Sequence, residues 1–346
     1  MDTPQLYDPP IETPDRDDAT LRARRRDRRA AQRRRAVRRR RRVALGGLGA
    51  VAAPALIAGA ITGAGGGGPV AGGDGGSGRS REEVAKPSTL PGGGRSLFPE
   101  HRVVGFYGAP QDEELGALGI GTPAQAARRL EGQARPYATP RRKVLPTFEL
   151  LAVIAASDPG EDGLYRTRQD PAVIAAYLRA ARRAGGILLL DIQPGRADFL
   201  TEAKALRRWL AEPDVGLALD PEWHMQPGEA PGQTIGSVEA REVNEVSAWL
   251  SGLVRDERLP EKLFLVHRFT EDMIADVQTL ERHPGIALTL NVDGFGTKAQ
   301  KLAKYRDLVP RTSYAGFKLF YREDDGLMRP EEVLALRPQP DVVVYE

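Results

Sequence analysis

Apolar and polar positions change rhythm three times along the chain. Residues 1–42 hold no apolar periodicity, and fourteen of positions 21–42 are Arg. Val43–Thr62 is then twenty residues without a charge. Residues 63–96 are Gly-rich, with Ser, Pro and scattered charge. From about Leu97 a new texture sets in, with short apolar runs alternating with longer amphipathic stretches. The runs are Val103–Gly108, Val144–Ala155, Ile187–Ile192, Val215–Leu219, Leu263–Val266, Ile286–Val292, Tyr314–Phe320 and Val342–Tyr345. Nearly continuous apolar runs of this length fit strands buried on both faces, as in parallel sheets. Between them, helical spacing runs through Ala124–Gln133, Pro171–Ala184, Phe199–Ala211, Ser237–Asp256 and Glu271–His283. Pro171 suits a first helical position behind a capping Asp170.

Eight strands alternating with helices over about 250 residues predict an α/β fold, a (β/α)8 barrel, for residues 97–346. An open doubly wound sheet is the alternative. Such sheets usually carry a Gly-rich phosphate loop after the first strand, and Gly105-Phe106-Tyr107-Gly108-Ala109-Pro110 is no such loop.

Chemistry on such a barrel sits at the C-terminal ends of the strands. Read in that way, the eight runs offer Tyr107, Glu149, Asp191 with Gln193, Asp220 with Glu222 and Trp223, His267, Asp293, Lys318, and finally Glu346. Charges at strand ends are costly unless paired or used, so their convergence predicts an active site. For any one of them, a helix cap or a structural ion pair is an equal reading. In Asp220-Pro221-Glu222, strand alternation would turn both carboxylates toward the mouth. Pro221 cannot donate to a ladder, which puts the strand end there. Two close carboxylates resist joint ionisation, the condition a glycosidase proton donor needs. One of Asp220 and Glu222 is therefore expected to stay protonated, with Asp191 tuning Asp220 or contacting substrate. Tyr107, Glu149, Gln193, Trp223, His267, Asp293 and Lys318 are expected to contact substrate or balance charge. No metal and no cofactor is expected. The alternative is a divalent-metal hydrolase using His267 with the acidic cluster, although no His-x-His or His-Glu-x-x-His spacing occurs. Nor is there a nucleophile elbow or a P-loop.

Leu217-Ala218-Leu219-Asp220-Pro221-Glu222 resembles the fourth-strand Asp-x-Glu of chitinase-type and muramidase-type (β/α)8 glycoside hydrolases. The resemblance covers one strand and implies a general acid at Glu222, with Asp220 orienting it or steadying the substrate. Two departures accompany it. Ala218 stands where the chitinase pattern has a further Asp, and the first strand lacks the Asp of the muramidase pattern. A carbohydrate-binding barrel without catalysis is the alternative that these departures favour. The stretch Asp191-Ile192-Gln193-Pro194-Gly195-Arg196 also resembles part of an exported bacterial family to which no activity attaches.

Charge alters the picture of the N-terminus more than that of the barrel. Residues 1–42 carry a balance of +8, so the other 304 residues carry −5 of the total of +3. The basic pI belongs to the tail, and no nucleic-acid partner is expected. An Arg block followed by twenty uncharged residues predicts a membrane segment with the N-terminus in the cytoplasm. Ala58-Gly59-Ala60 equally fits a cleavage site, so anchor and cleaved signal both stand. Residues 1–42 read as a disordered tail and 63–96 as a flexible linker with a reach of roughly 30–35 Å. The expected setting is extracytoplasmic, with a glycan or cell-wall polymer as partner. Cysteine is absent, which excludes thiolate chemistry and disulfides.

Overall fold

The computed structural model describes residues 88–346. The Arg-rich tail, the apolar run Val43–Thr62 and residues 63–87 of the Gly-rich segment lie outside the described residues. Among the described residues, no helix is long and apolar enough to cross a membrane.

Eight parallel strands close into a barrel. They are β1 (His101–Gly108), β2 (Lys143–Ala155), β3 (Ile187–Ile192), β4 (Val215–Leu219), β5 (Lys262–Arg268), β6 (Ile286–Val292), β7 (Tyr314–Leu319) and β8 (Val342–Tyr345). Each pairs with its successor, and β1 pairs with β8 as well as β2, so the ring has no edge. The eight apolar runs are these eight strands, and the closure excludes the open sheet. A three-residue strand, Arg166–Arg168, runs antiparallel to the end of β2.

Strand alternation sorts the side chains into two layers. Phe106, Phe148, Leu190, Leu217, Phe264, Leu288, Phe317 and Tyr345 point outward into the layer shared with the helices. Val103, Leu145, Leu189, Ala218, Leu265, Ala287 and Val344 fill the interior. Leu90, Leu97 and Phe98 join that inner cluster, with Phe98 against Tyr314 at 4.5 Å. The folded unit therefore begins before Leu97, since Leu90 is already buried.

Helices cover the outside: α1 (Pro123–Ala134), α2 (Pro171–Arg183), α3 (Phe199–Ala205), α4 (Arg207–Leu210), α5 (Ala240–Asp256), α6 (Lys298–Leu308) and α7 (Pro330–Leu334). Local chemistry explains their starts. Thr122 and Gln125 form a capping box with Pro123 at the first position, and Asp170 caps α2 before Pro171. The predicted helix over 199–211 is split at Leu206, whose ψ of 2° ends α3. The helix expected over 271–283 does not form. Ile274–Ala275 pairs with Val238–Glu239 instead, and Asp276 takes a left-handed φ of 54° that stops a helix from propagating.

Candidate active site at the barrel mouth

Following one inward-facing register up each strand shows how the site arises. The sequence goes Val103, Gly105, Tyr107 on β1 and Leu145, Thr147, Glu149 on β2. It continues as Ile187, Leu189, Asp191 on β3 and Leu263, Leu265, His267 on β5. On β6 it is Ala287, Thr289, Asn291 and then Asp293, and on β7 Gly316 and Lys318. In each case small or apolar residues occupy the lower layers and a polar or ionisable one the top. Asp220 and Glu346 extend the same alternation one residue past β4 and β8. All of these top-layer residues are buried except Glu346, which is partly exposed.

The top layer is one connected network. His267 stands at its centre, with Nε2 2.8 Å from Glu149 Oε1 and Nδ1 3.0 Å from Asp293 Oδ2. Lys318 Nζ pairs with Glu346 at 2.8 Å and with Asp293 at 3.4 Å, and lies 3.5 Å over the Tyr107 ring. Tyr107 meets His267 edge-on at 5.8 Å. Gln193 Nε2 donates to Tyr107 Oη at 2.9 Å and to Asp220 Oδ2 at 3.3 Å, and Tyr107 Oη donates to Asp220 Oδ2 at 3.5 Å. Gln193 is itself fixed through Oε1, which accepts from the Ala155 backbone at 3.3 Å. Gly316 is required here, because a Cβ would come within 2.6 Å of Asn291 Oδ1.

Asp191 is the exception. It is fully buried, and neither of its oxygens has a hydrogen-bond partner among the described residues. Glu149 Oε2 is buried and unpartnered as well. Burial, and then the neighbouring Asp220, push the Asp191 carboxyl well above the ordinary range; Glu149 adds to this, while His267 and Lys318 oppose it. His267 goes the other way from its burial. Burial and Lys318 lower its pKa, but Glu149 and Asp293 hold the imidazole well above its ordinary value.

The Asp220-Pro221-Glu222 expectation needs one correction. Strand alternation carries only to Asp220, and Pro221–Trp223 is a 3-10 turn, so the two carboxylates do not share a strand face. Asp220 joins the network, and Glu222 and Trp223 sit buried in the turn beside it. Gly236 clamps that turn: its N–H donates to Glu222 O at 2.7 Å, and a Cβ there would meet His224 O at 2.3 Å. Tyr107, Glu149, Gln193, Asp191, Asp220, His267, Asp293 and Lys318 are thus brought together as expected.

One contributor escaped the sequence and another was read only in part. Glu346 was legible as a strand-end acid, but its pairing with Lys318 depends on the register in which β7 and β8 lie side by side. Tyr321, just after β7, is 41% exposed and stacks on Tyr345 at 5.3 Å. It borders an open groove lined also by Glu113, Glu114, Ile120, Arg322 and Glu346. Through Glu346 this groove adjoins the buried network.

No protein-family model and no curated protein matches this chain.

Proposed function

We propose that the barrel is a hydrolase of glycosidic bonds, working by carboxylate acid–base chemistry at its C-terminal mouth. One observation supports this most: ionisable side chains from seven different strands occupy the top of an otherwise apolar interior, with Asp220 held by Tyr107 and Gln193. Buried charge in such excess is a stability cost that structural needs do not explain. In this reading Asp220 orients substrate or reacting water, and Glu222 in the next turn donates the proton to the leaving oxygen. Asp191 sets the field against which Asp220 works. The groove by Tyr321 supports a sugar as substrate, since a partly exposed aromatic ring beside carboxylates suits the apolar faces and hydroxyls of a pyranose.

The setting belongs to the same proposal. The Arg block before Val43–Thr62 supports a membrane segment with the barrel on the far side, facing wall or other glycans. The test is release of reducing ends from wall and storage glycans by the full chain. Glu222→Gln and Asp220→Asn are each expected to lower turnover by about 10²–10⁴-fold. Binding without turnover would reduce the barrel to a carbohydrate-binding module.

A further inference from the structure

We infer that Glu149, Asp191 and His267 form a divalent-cation site on the floor of the mouth. One ligand atom from each of these residues lies within 4.8 Å of those of the other two, and all three residues are buried. A group of acids alone would not justify the assignment. The independent observation is the set of buried oxygens left over: both of Asp191 and Oε2 of Glu149. Buried polar atoms nearly always have partners, and these belong to two of the three grouped residues, where a cation would supply one.

The surroundings of His267 fit the role. Its Nδ1 is held by Asp293 at 3.0 Å, the carboxylate–histidine arrangement that orients a metal-binding imidazole. Nε2 then faces Glu149, and cation binding would release the Nε2 proton to solvent while Glu149 shifts from hydrogen-bond acceptor to ligand. Two carboxylates and one imidazole suit Zn²⁺ or Mn²⁺ better than the all-oxygen shell of Ca²⁺. Three protein ligands leave positions for water or a substrate oxygen. Asp293 is a positioning residue in this scheme.

The inference stands apart from the choice of substrate, so its test reads binding rather than turnover. The full chain, stripped with chelator and dialysed, is titrated calorimetrically with Zn²⁺ and with Mn²⁺, and bound metal is counted by elemental analysis. One equivalent of at least one ion is expected. Asp191→Asn should weaken it at least 100-fold and Asp293→Asn about 10-fold, with both variants keeping the barrel's circular dichroism. Glu222→Gln should bind as the parent does, whatever happens to glycan turnover. Failure of the parent to bind either ion, or equal binding by the parent and Asp191→Asn, would overturn the assignment. A parent that binds metal but cleaves no glycan would leave this site standing and remove the glycosidase.

Discussion

Lys262 gives the sharpest test of how the barrel tolerates buried charge. It opens β5 at the end opposite the mouth and is 1% exposed. Its Nζ donates to the carbonyls of Glu212 at 2.8 Å and Val215 at 2.7 Å. The nearby carboxylates of Asp214 and Glu212 are occupied by Arg182, at 2.6 Å each. Burial lowers the Lys262 pKa from 10.5 to about 7. The unfolded chain keeps this proton to about pH 10, while the folded chain gives it up near 7. Between those values the unfolded state binds more protons, so stability rises with pH. Below about pH 7 both states are charged and the cost is present in full. At about 1.4 kcal/mol for each tenfold change in the protonation equilibrium, that cost is roughly 5 kcal/mol. Lys262→Met keeps the length of the side chain and removes the charge, but costs about 1–3 kcal/mol by taking Nζ from the Val215 carbonyl, while the Glu212 carbonyl keeps the Val215 N–H at 3.3 Å. At pH 6 the variant should therefore be more stable by about 2–4 kcal/mol, a rise of roughly 4–16 °C in Tm for a domain of this size. At pH 10 the parent lysine is neutral and still bonded, so the variant should be the less stable of the two. Calorimetric melting at pH 6, 8 and 10 reads the crossover. A difference in Tm that is constant across that range would mean Lys262 holds its proton equally in both states, and the reasoning would fail.

Other consequences can be checked alongside. In chelator-treated protein, Asp191→Asn should change stability by less than about 1 kcal/mol in urea unfolding at neutral pH, because burial already favours the neutral acid and a neutral isostere replaces it. A larger loss would mean that Asp191 has a partner in the metal-free fold. Glu202 is fully buried and takes Arg166 at 2.9 Å and Arg168 at 2.7 Å, so Glu202→Gln should cost about 3 kcal/mol. That change should also speed amide exchange in Arg166–Arg168, and unchanged exchange would rule out the clamp. Tyr107→Phe removes the hydroxyl linking Gln193 to Asp220; glycan turnover should fall about tenfold with little change in Tm, and an unaltered rate would release Tyr107 from the network.

The sequence made the barrel legible because burial on both faces leaves strands with almost no polar residue below their ends. The same feature exposed the site, since the first charged residue along an inward register marks the mouth, as Asp191 and His267 do. The turn at Asp220-Pro221-Glu222 was not legible. Alternation predicts i and i+2 on one side only while the chain stays extended, and Pro221 begins a 3-10 turn. Helix α6 was missed because its buried face is Lys301, Tyr305 and Leu308. Lys301 there donates to the Gly294 and Lys318 carbonyls, which no apolar pattern signals. The false helix over 271–283 has apolar residues at helical spacing, but a bridge to Val238–Glu239 captures Ile274. The groove by Tyr321 is tertiary throughout, made by loops that meet only once the barrel closes.

The central claim is that the carboxylates at the mouth hydrolyse glycosidic bonds, and reducing-end release by the full chain measures it most directly. The expected result is turnover on at least one wall or storage glycan, lost in Asp220→Asn and in Glu222→Gln while both variants still bind it. Turnover that survives in both variants, or none on any glycan, would contradict the account.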